Sequence, residues 1–171
     1  MPAGLKQTSS VVAIGFNATE TAANTFVESQ VDLNLSPLDR EVFVVLAVNL
    51  DASTPDAVVA TDTVVSTSLT TTRQTAVATL QNANCLAVSQ NVIRAFPGPS
   101  TSGVAFTTLG AETPPATLEY IGIIATNDFF VQCKGTSNAG TKEVNGKLYG
   151  YRATASADIF AALVQSEVLS A

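Results

Sequence analysis

Histidine and tryptophan are both absent from this chain, and charged residues make up only 13% of it. Without histidine, the one side chain that ordinarily titrates in the middle of the physiological range is missing, so proton transfer near neutral pH would fall to carboxylates. The common serine and cysteine nucleophile arrangements lose their base for the same reason. Long apolar runs are also lacking. The longest, Val42 to Val48, has the length of a strand and falls far short of the roughly 18–20 residues needed to cross a bilayer as a helix, so no membrane span is expected. Val11 to Phe16 is too short for a signal-peptide core and has only Lys6 as a positive flank, so secretory export is not expected either. Basic residues are scarce. Eight Lys and Arg lie scattered in a chain of net charge −6, which argues against electrostatic binding to nucleic acid. No glycine loop of the phosphate-cradling kinds is present. Cys85 and Cys133 are the only cysteines, and their spacing carries no metal or redox signature. One disulfide is possible, but two buried free thiols are favoured, because isolated cysteines usually pack as small hydrophobes. No cofactor is expected.

What remains is a chain of 171 residues, 46% hydrophobic and rich in Thr, Val, Ala and Ser. That length suits one domain with a full core, and β-branched residues with little charge suit a pleated, half-buried surface. Residues 1–24 mix small polar residues around Val11, Val12, Ile14 and Phe16. They read as an arm that orders only against something else, or as a first edge strand. From Val27 to Leu35 aliphatics occupy odd positions and polar residues even ones, a period of two that marks a strand ended by Ser36-Pro37. Glu41 to Leu50 is nearly continuous in Val, Phe and Leu, as in a central strand covered on both faces. Thr61 to Thr72 is another strand, and from Thr63 on it lacks the charge that normally guards a sheet edge, so either another strand or another subunit covers it. Thr75 to Asn91 fits either a helix or two short strands, with strands preferred. Phe96-Pro97-Gly98-Pro99-Ser100 and Pro114-Pro115 break the chain, and Val104 to Leu109 forms a short strand between them. Asn127-Asp128 and, more clearly, Asn145-Gly146 carry hairpin-turn chemistry. Ser156 is placed to cap a helix over 156–169, with Ile159, Phe160, Leu163, Val164 and Val168 on one face. Eight to ten strands and one short C-terminal helix predict an all-β, antiparallel sandwich over 25–171, with a jelly roll as first choice.

Candidate chemistry is thin. Glu112 and Glu119 are the nearest approach to a carboxylate pair for glycoside hydrolysis, but a proline-flanked loop and a strand face are ordinary places for solvated charge. Asp51, Ser53, Asp56 and Asp62 gather oxygen ligands that calcium uses, although their spacing fits no calcium loop and turn formation explains them. Asn17-Ala18-Thr19 and Asn34-Leu35-Ser36 match the glycosylation triplet, which is common by chance. Tyr120, Tyr149 and Tyr151 suggest either a sugar platform or cross-strand packing, and packing is favoured. No catalytic or metal-binding residue is assigned, and an enzyme is not expected.

In Arg40-Glu41-Val42-Phe43-Val44-Val45, Ala125-Thr126-Asn127-Asp128-Phe129-Phe130-Val131 and Lys147-Leu148-Tyr149-Gly150-Tyr151-Arg152 the chain resembles the small β-sandwich capsid or coat proteins of viruses that infect microbes. The resemblance implies a shell subunit of a virion, present in many copies, that contacts copies of itself and other virion proteins and carries no catalytic residues. Coat proteins that condense single-stranded genomes often have a basic arm, whereas the first 24 residues here hold only Lys6, so direct genome binding is not expected. Low charge independently favours association, since neutral Thr and Ser surfaces are buried more cheaply than Lys or Glu. The sequence therefore points to a self-assembling virion subunit that associates through sheet edges and an arm carrying Val11, Val12, Ile14 and Phe16. The alternative is a decoration, fibre or adhesin-type module that recognises a glycan or surface protein through the loops at 51–57, 97–102 and 112–116.

Overall fold

Short β-branched segments separated by Pro, Asn and Asp become ten strands and one helix among the described residues of a computed structural model, which are 2–95, 103–109 and 118–170. The proline-rich breaks at 96–100 and 114–115, and Glu112, lie outside them. In chain order the strands are β1 (Leu5–Gln7), β2 (Val12–Thr19), β3 (Val27–Asp32), β4 (Glu41–Ala52), β5 (Thr63–Thr70), β6 (Cys85–Ala95), β7 (Gly103–Leu109), β8 (Gly122–Ile124), β9 (Asp128–Thr136) and β10 (Glu143–Ala155). Helix α1 (Ala157–Leu169) follows.

Every pairing is antiparallel. One sheet runs β2-β10-β4-β8, with β1 beside the far end of β10. The other runs β3-β9-β5-β6-β7. The pairs β2–β10, β3–β9, β4–β8 and β5–β6 are those of one long antiparallel ribbon, folded back on itself and rolled so that successive pairs fall in alternate sheets. That is the jelly roll, with β7 added as a fifth strand on one side.

The core explains the patterning. Phe43 and Val45 of β4 point between the sheets, where they meet Leu69, Phe129, Val131 and Leu148. Val42 and Val44 point the other way, into a second cluster under α1 with Tyr151, Ala153, Ile159, Phe160 and Leu163. Burial on both faces over Val42–Val45 is why this part of the strand is apolar without interruption, whereas from Asn49 on it alternates with exposed polar residues. The Thr-rich β5 is an interior strand, paired with β9 on one edge and β6 on the other. It needs no guard because it is not an edge. Its hydroxyls are satisfied internally: Thr67 Oγ1 donates to the Ser89 carbonyl at 3.0 Å, and Ser68 Oγ donates to Gln132 Oε1 at 2.7 Å. Of Thr75 to Asn91, expected as two short strands or a helix, residues 85–91 are strand and belong to β6, whereas residues 71–84 are neither strand nor helix. They cross the outside of this sheet as a loop, and Ala78 N donates to Ser68 Oγ at 3.0 Å.

Three sequence expectations are corrected. Asn145-Gly146 is not a turn but the middle of an uninterrupted pairing between β10 and β2, with Gly146 opposite Phe16. A Cβ there would stand 2.5 Å from the Phe16 ring and would also strike the Asn49 carbonyl oxygen. The glycine serves close approach. Asn127-Asp128 is not a hairpin either, since β8 pairs with β4 in one sheet and β9 with β3 and β5 in the other. The residues between them cross from sheet to sheet, held by Leu35 N donating to Asn127 Oδ1 at 2.7 Å. Of the two readings of residues 1–24, the edge strand holds and the separate arm does not. β1 and β2 both pair with β10 of their own chain, and Phe16 is buried with its ring edge-on to Phe129 at 5.8 Å between centroids. The inward-facing Ile14, Phe16 and Ala18 gain more from this core than from remaining free for a partner.

Gly146→Ala is expected to destabilise the domain by roughly 1–3 kcal/mol through overpacking. Gly15→Ala, where the nearest atom to the new Cβ is the Gly146 oxygen at 4.0 Å, should stay within about 0.5 kcal/mol of the parent. Denaturant melts of the two variants check the pair. Deletion of residues 1–24 removes Phe16 and Ala18 from the core and is expected to abolish the cooperative melt.

Candidate functional site

Loops at one end of the sandwich are tied by a buried polar cluster. Glu20 accepts from Gly135 N at 2.7 Å and Lys142 N at 2.8 Å. The buried Lys142 Nζ donates to Asp56 Oδ1 at 2.6 Å and to the Thr54 carbonyl at 3.1 Å. Asp56 Oδ2 accepts from Ala139 N and Gly140 N, and Asn138 Oδ1 accepts from Asp56 N at 2.9 Å. The Lys142 hydrogen bond, then that of Gly140, hold the Asp56 carboxyl below its usual range. Nearby, Ala95 N and Arg94 do the same for Asp62. The four oxygen donors considered for calcium are thus not assembled. Asp56 and Asp62 are engaged by different cations, and Asp51 lies within β4 opposite Asn145. No cluster of three or more Asp, Glu or Cys suited to a metal exists among the described residues.

The other end is closed by the helix. Its last turns carry Glu167, which sequence reading missed in favour of Val168. Glu167 is buried and Val168 is 60% exposed. Glu167 Oε2 accepts from Ala125 N at 2.9 Å and Thr126 N at 3.0 Å, so it holds the crossover that follows β8. Its Oε1 and the Thr71 hydroxyl are both buried without a well-formed hydrogen bond, although that hydroxyl still favours the charged form. Burial outweighs these hydrogen bonds and pushes the Glu167 carboxyl up. The missed signal was Glu167 four residues beyond Leu163, on the helix face that looks apolar. Ser156 precedes the helix as expected, but its side chain makes no capping hydrogen bond.

The remaining candidates do not converge. Tyr151 is buried under α1, while Tyr149 is only half-buried and Tyr120 stands exposed in the segment before β8, so the three tyrosines form no platform. Glu119 is exposed and adds to the burial that raises the Tyr151 hydroxyl. Asn17 is hydrogen-bonded to Asn145 at 2.8 Å, and Asn34 turns the chain at φ 52°. Both cysteines are free thiols, and burial raises Cys85 to about 11 and Cys133 to about 12. A cleft of about 340 Å³ lies between the 71–84 loop and the outer face of β6, lined by Val77, Leu80, Val88, Gln90 and Thr108 among others. None of its lining residues is ionisable, so it offers no acid, base or nucleophile beyond hydroxyls. No helix of the described residues is long and apolar enough to cross a membrane.

The sheet edges are the feature left. β3 is guarded, with Glu28, Gln30 and Asp32 on its outward face and Arg73 paired to Glu28 at 3.4 Å. β2 and β7 carry no charge along their length. Of the residues assigned to an assembly arm, Phe16 and Ile14 face the core, whereas Val11 and Val12 are exposed. Comparison with protein-family models, characterised proteins and solved structures finds no match to this chain.

Because its folded-state pKa is raised, Glu167 contributes least to stability when ionised. Its contribution is full below the ordinary value of 4.5 and is lost as pH rises through the raised one. Glu167→Gln keeps an oxygen for Ala125 N and Thr126 N without the buried charge. It is expected to melt at or above the parent temperature at pH 7 and to flatten the pH dependence above 4.5. Glu167→Ala orphans two amides and should lose about 1–3 kcal/mol. Thermal melts from pH 4 to 8 separate the three proteins.

Proposed function

We propose that this protein is a structural subunit of a viral particle, a capsid or coat protein that assembles with copies of itself through its sheet edges. The observation that carries the reading is a jelly roll with two strand edges, β2 and β7, that bear no charge. A monomer normally protects such edges with Lys, Pro or a covering segment. The fold is one that shells use repeatedly, and lectins and cupins use it too, so the weight rests on the edges and not on the fold alone. Composition supports the same view, since a surface of few charges repels its copies little. Several of the ionic groups that do occur are engaged within the fold, as at Lys142–Asp56, Arg94–Asp62 and Arg152–Glu41. Other virion proteins are the further partners this reading names. Its mode of assembly differs from a free N-terminal arm, because Phe16 is committed to Phe129 and only the exposed Val11 and Val12 remain at that edge.

Purified protein is expected to form defined oligomers or shell-like particles at micromolar concentration, seen by light scattering and negative-stain electron microscopy. A monomeric mass that neither concentration nor salt changes would overturn the proposal.

A further inference from the structure

Four strand edges are open among the described strands: β2 with β1, and β8, in the first sheet, and β3 and β7 in the second. They are not equivalent. β8 has three residues, and β3 is guarded by charge. β2 sits where the two sheets approach each other, in contact with β3 and β9, and its Asn17 and Thr19 side chains are bonded to Asn145 and Glu143 of β10. β7 differs from all of these. It is the extra strand of the wider sheet and pairs with β6 alone. Gly103 to Thr108 are exposed on both faces, and Val104 and Phe106 are each 54% exposed. Phe106 lies opposite Val92 in register, which extends the apolar surface onto β6.

We infer that β7 is a self-pairing edge. Gly103–Leu109 of one copy adds antiparallel to the same strand of a second copy about a two-fold axis at Phe106, joining the two five-stranded sheets into one. This rests on the assembly reading above and names the surface that begins it. The occupant follows from the chemistry of the strand. An open edge presents unpaired N–H and C=O groups that another extended strand satisfies. Under this two-fold, Val104 faces Thr108, Ala105 faces Thr107 and Phe106 faces Phe106 of the second copy. No charge opposes a like charge, β-branched residues meet each other, and the aromatic pair sits on the axis. An isologous pairing satisfies both edges at once and closes. The charged residue facing β7 on β6, Arg94 opposite Val104, is already held by Asp62 at 2.7 Å.

Residues directly opposite have Cβ atoms about 4.5–5.5 Å apart, within a small adjustment of disulfide geometry. Phe106→Cys is therefore expected to give a disulfide-linked dimer on mild oxidation. Val104→Cys should not, since its symmetry mate lies roughly 13 Å away along the strand. Phe106→Lys sets like charges across the axis and should weaken dimerisation roughly tenfold or more, with circular dichroism and melting confirming an intact fold. Mixing Phe106→Lys with Phe106→Glu should restore association, a result that unfolding of either variant would not produce. Wild-type protein that remains monomeric overturns the assembly reading and this inference together. Wild-type protein that associates while the two cysteine variants cross-link equally, or while charge at position 106 has no effect, overturns this inference alone.

Discussion

The first sheet is hydrogen-bonded through a single strand. β10 runs for 13 residues, meeting β4 along one edge and β2 then β1 along the other. A strand paired on both edges, with one face buried over its first half and the other covered by the helix over its second, has few solutions for its side chains. Leu148 and Val144 fill the space between the sheets, while Tyr151 and Ala153 fill the space under the helix. The two sets are the even and odd positions of one alternation, and beside Gly150 the pairing skips Leu46 of β4, at a point where a side chain on 150 would run into the Val44 oxygen and the Phe43 ring. Glycine at 146 and 150 is thus what lets the two largest aromatics of the adjoining strands, Phe16 and Phe43, cross the backbone of β10. The N-terminal segment is ordered because this strand has a second edge to satisfy.

That constraint also marks what the sequence could and could not reveal. Period-two alternation in β3, continuous apolarity over Val42–Val48 of β4 and the short run at Val104 all report local surroundings, and each marks a strand, although β3 ends at Asp32 and not at Leu35. The terminal helix is legible for the same reason, through Ile159, Phe160, Leu163 and Val164. Asn145-Gly146 misleads because the same dipeptide serves a turn, where it needs positive φ, and a crowded strand, where it needs no Cβ. Only the partner strand distinguishes them. Asn127-Asp128 joins strands in different sheets, a fact that depends on the roll of the whole ribbon. Glu167 drew no notice in the sequence, because the partners of its carboxylate are two amides 41 and 42 residues away in the chain. The candidate site was legible only as composition. The scarcity of charge was visible, and of the two covers open for Thr63–Thr72 the structure has the neighbouring strands β6 and β9, which leaves β7 as the exposed edge.

Charge is rare here, and its distribution has a purpose in the fold. Lys142, Arg94 and Arg152 each bind a carboxylate, and Arg73 both pairs with Glu28 and lies 5.5 Å above the Phe130 ring. These contacts fasten loops to strand ends. Exposed pairs of this kind contribute little individually, but they fix positions that an all-β chain with long-range pairings cannot fix through local propensity. None of the eight cations lies on β2 or β7. A sequence with more Lys at the edges would make a more soluble monomer, so their absence is informative about what the surface meets.

The two ends of the sandwich respond to acid in opposite senses. At the end of Asp56 and Asp62 the folded-state pKa values are depressed below 3.8. Stability from these contacts is present above that value and is lost as pH falls through the depressed ones. At the helix end the Glu167 carboxyl is raised above 4.5, so acid in the range between that value and the raised one favours the docked helix. Mild acid therefore firms the helix before stronger acid releases the loops. Neither group lies on β7, and an interface built from that strand alone contains no titrating side chain. Association through β7 should accordingly be insensitive to pH over the interval in which the fold itself is intact, whereas contacts made through the loop ends would track the carboxylates.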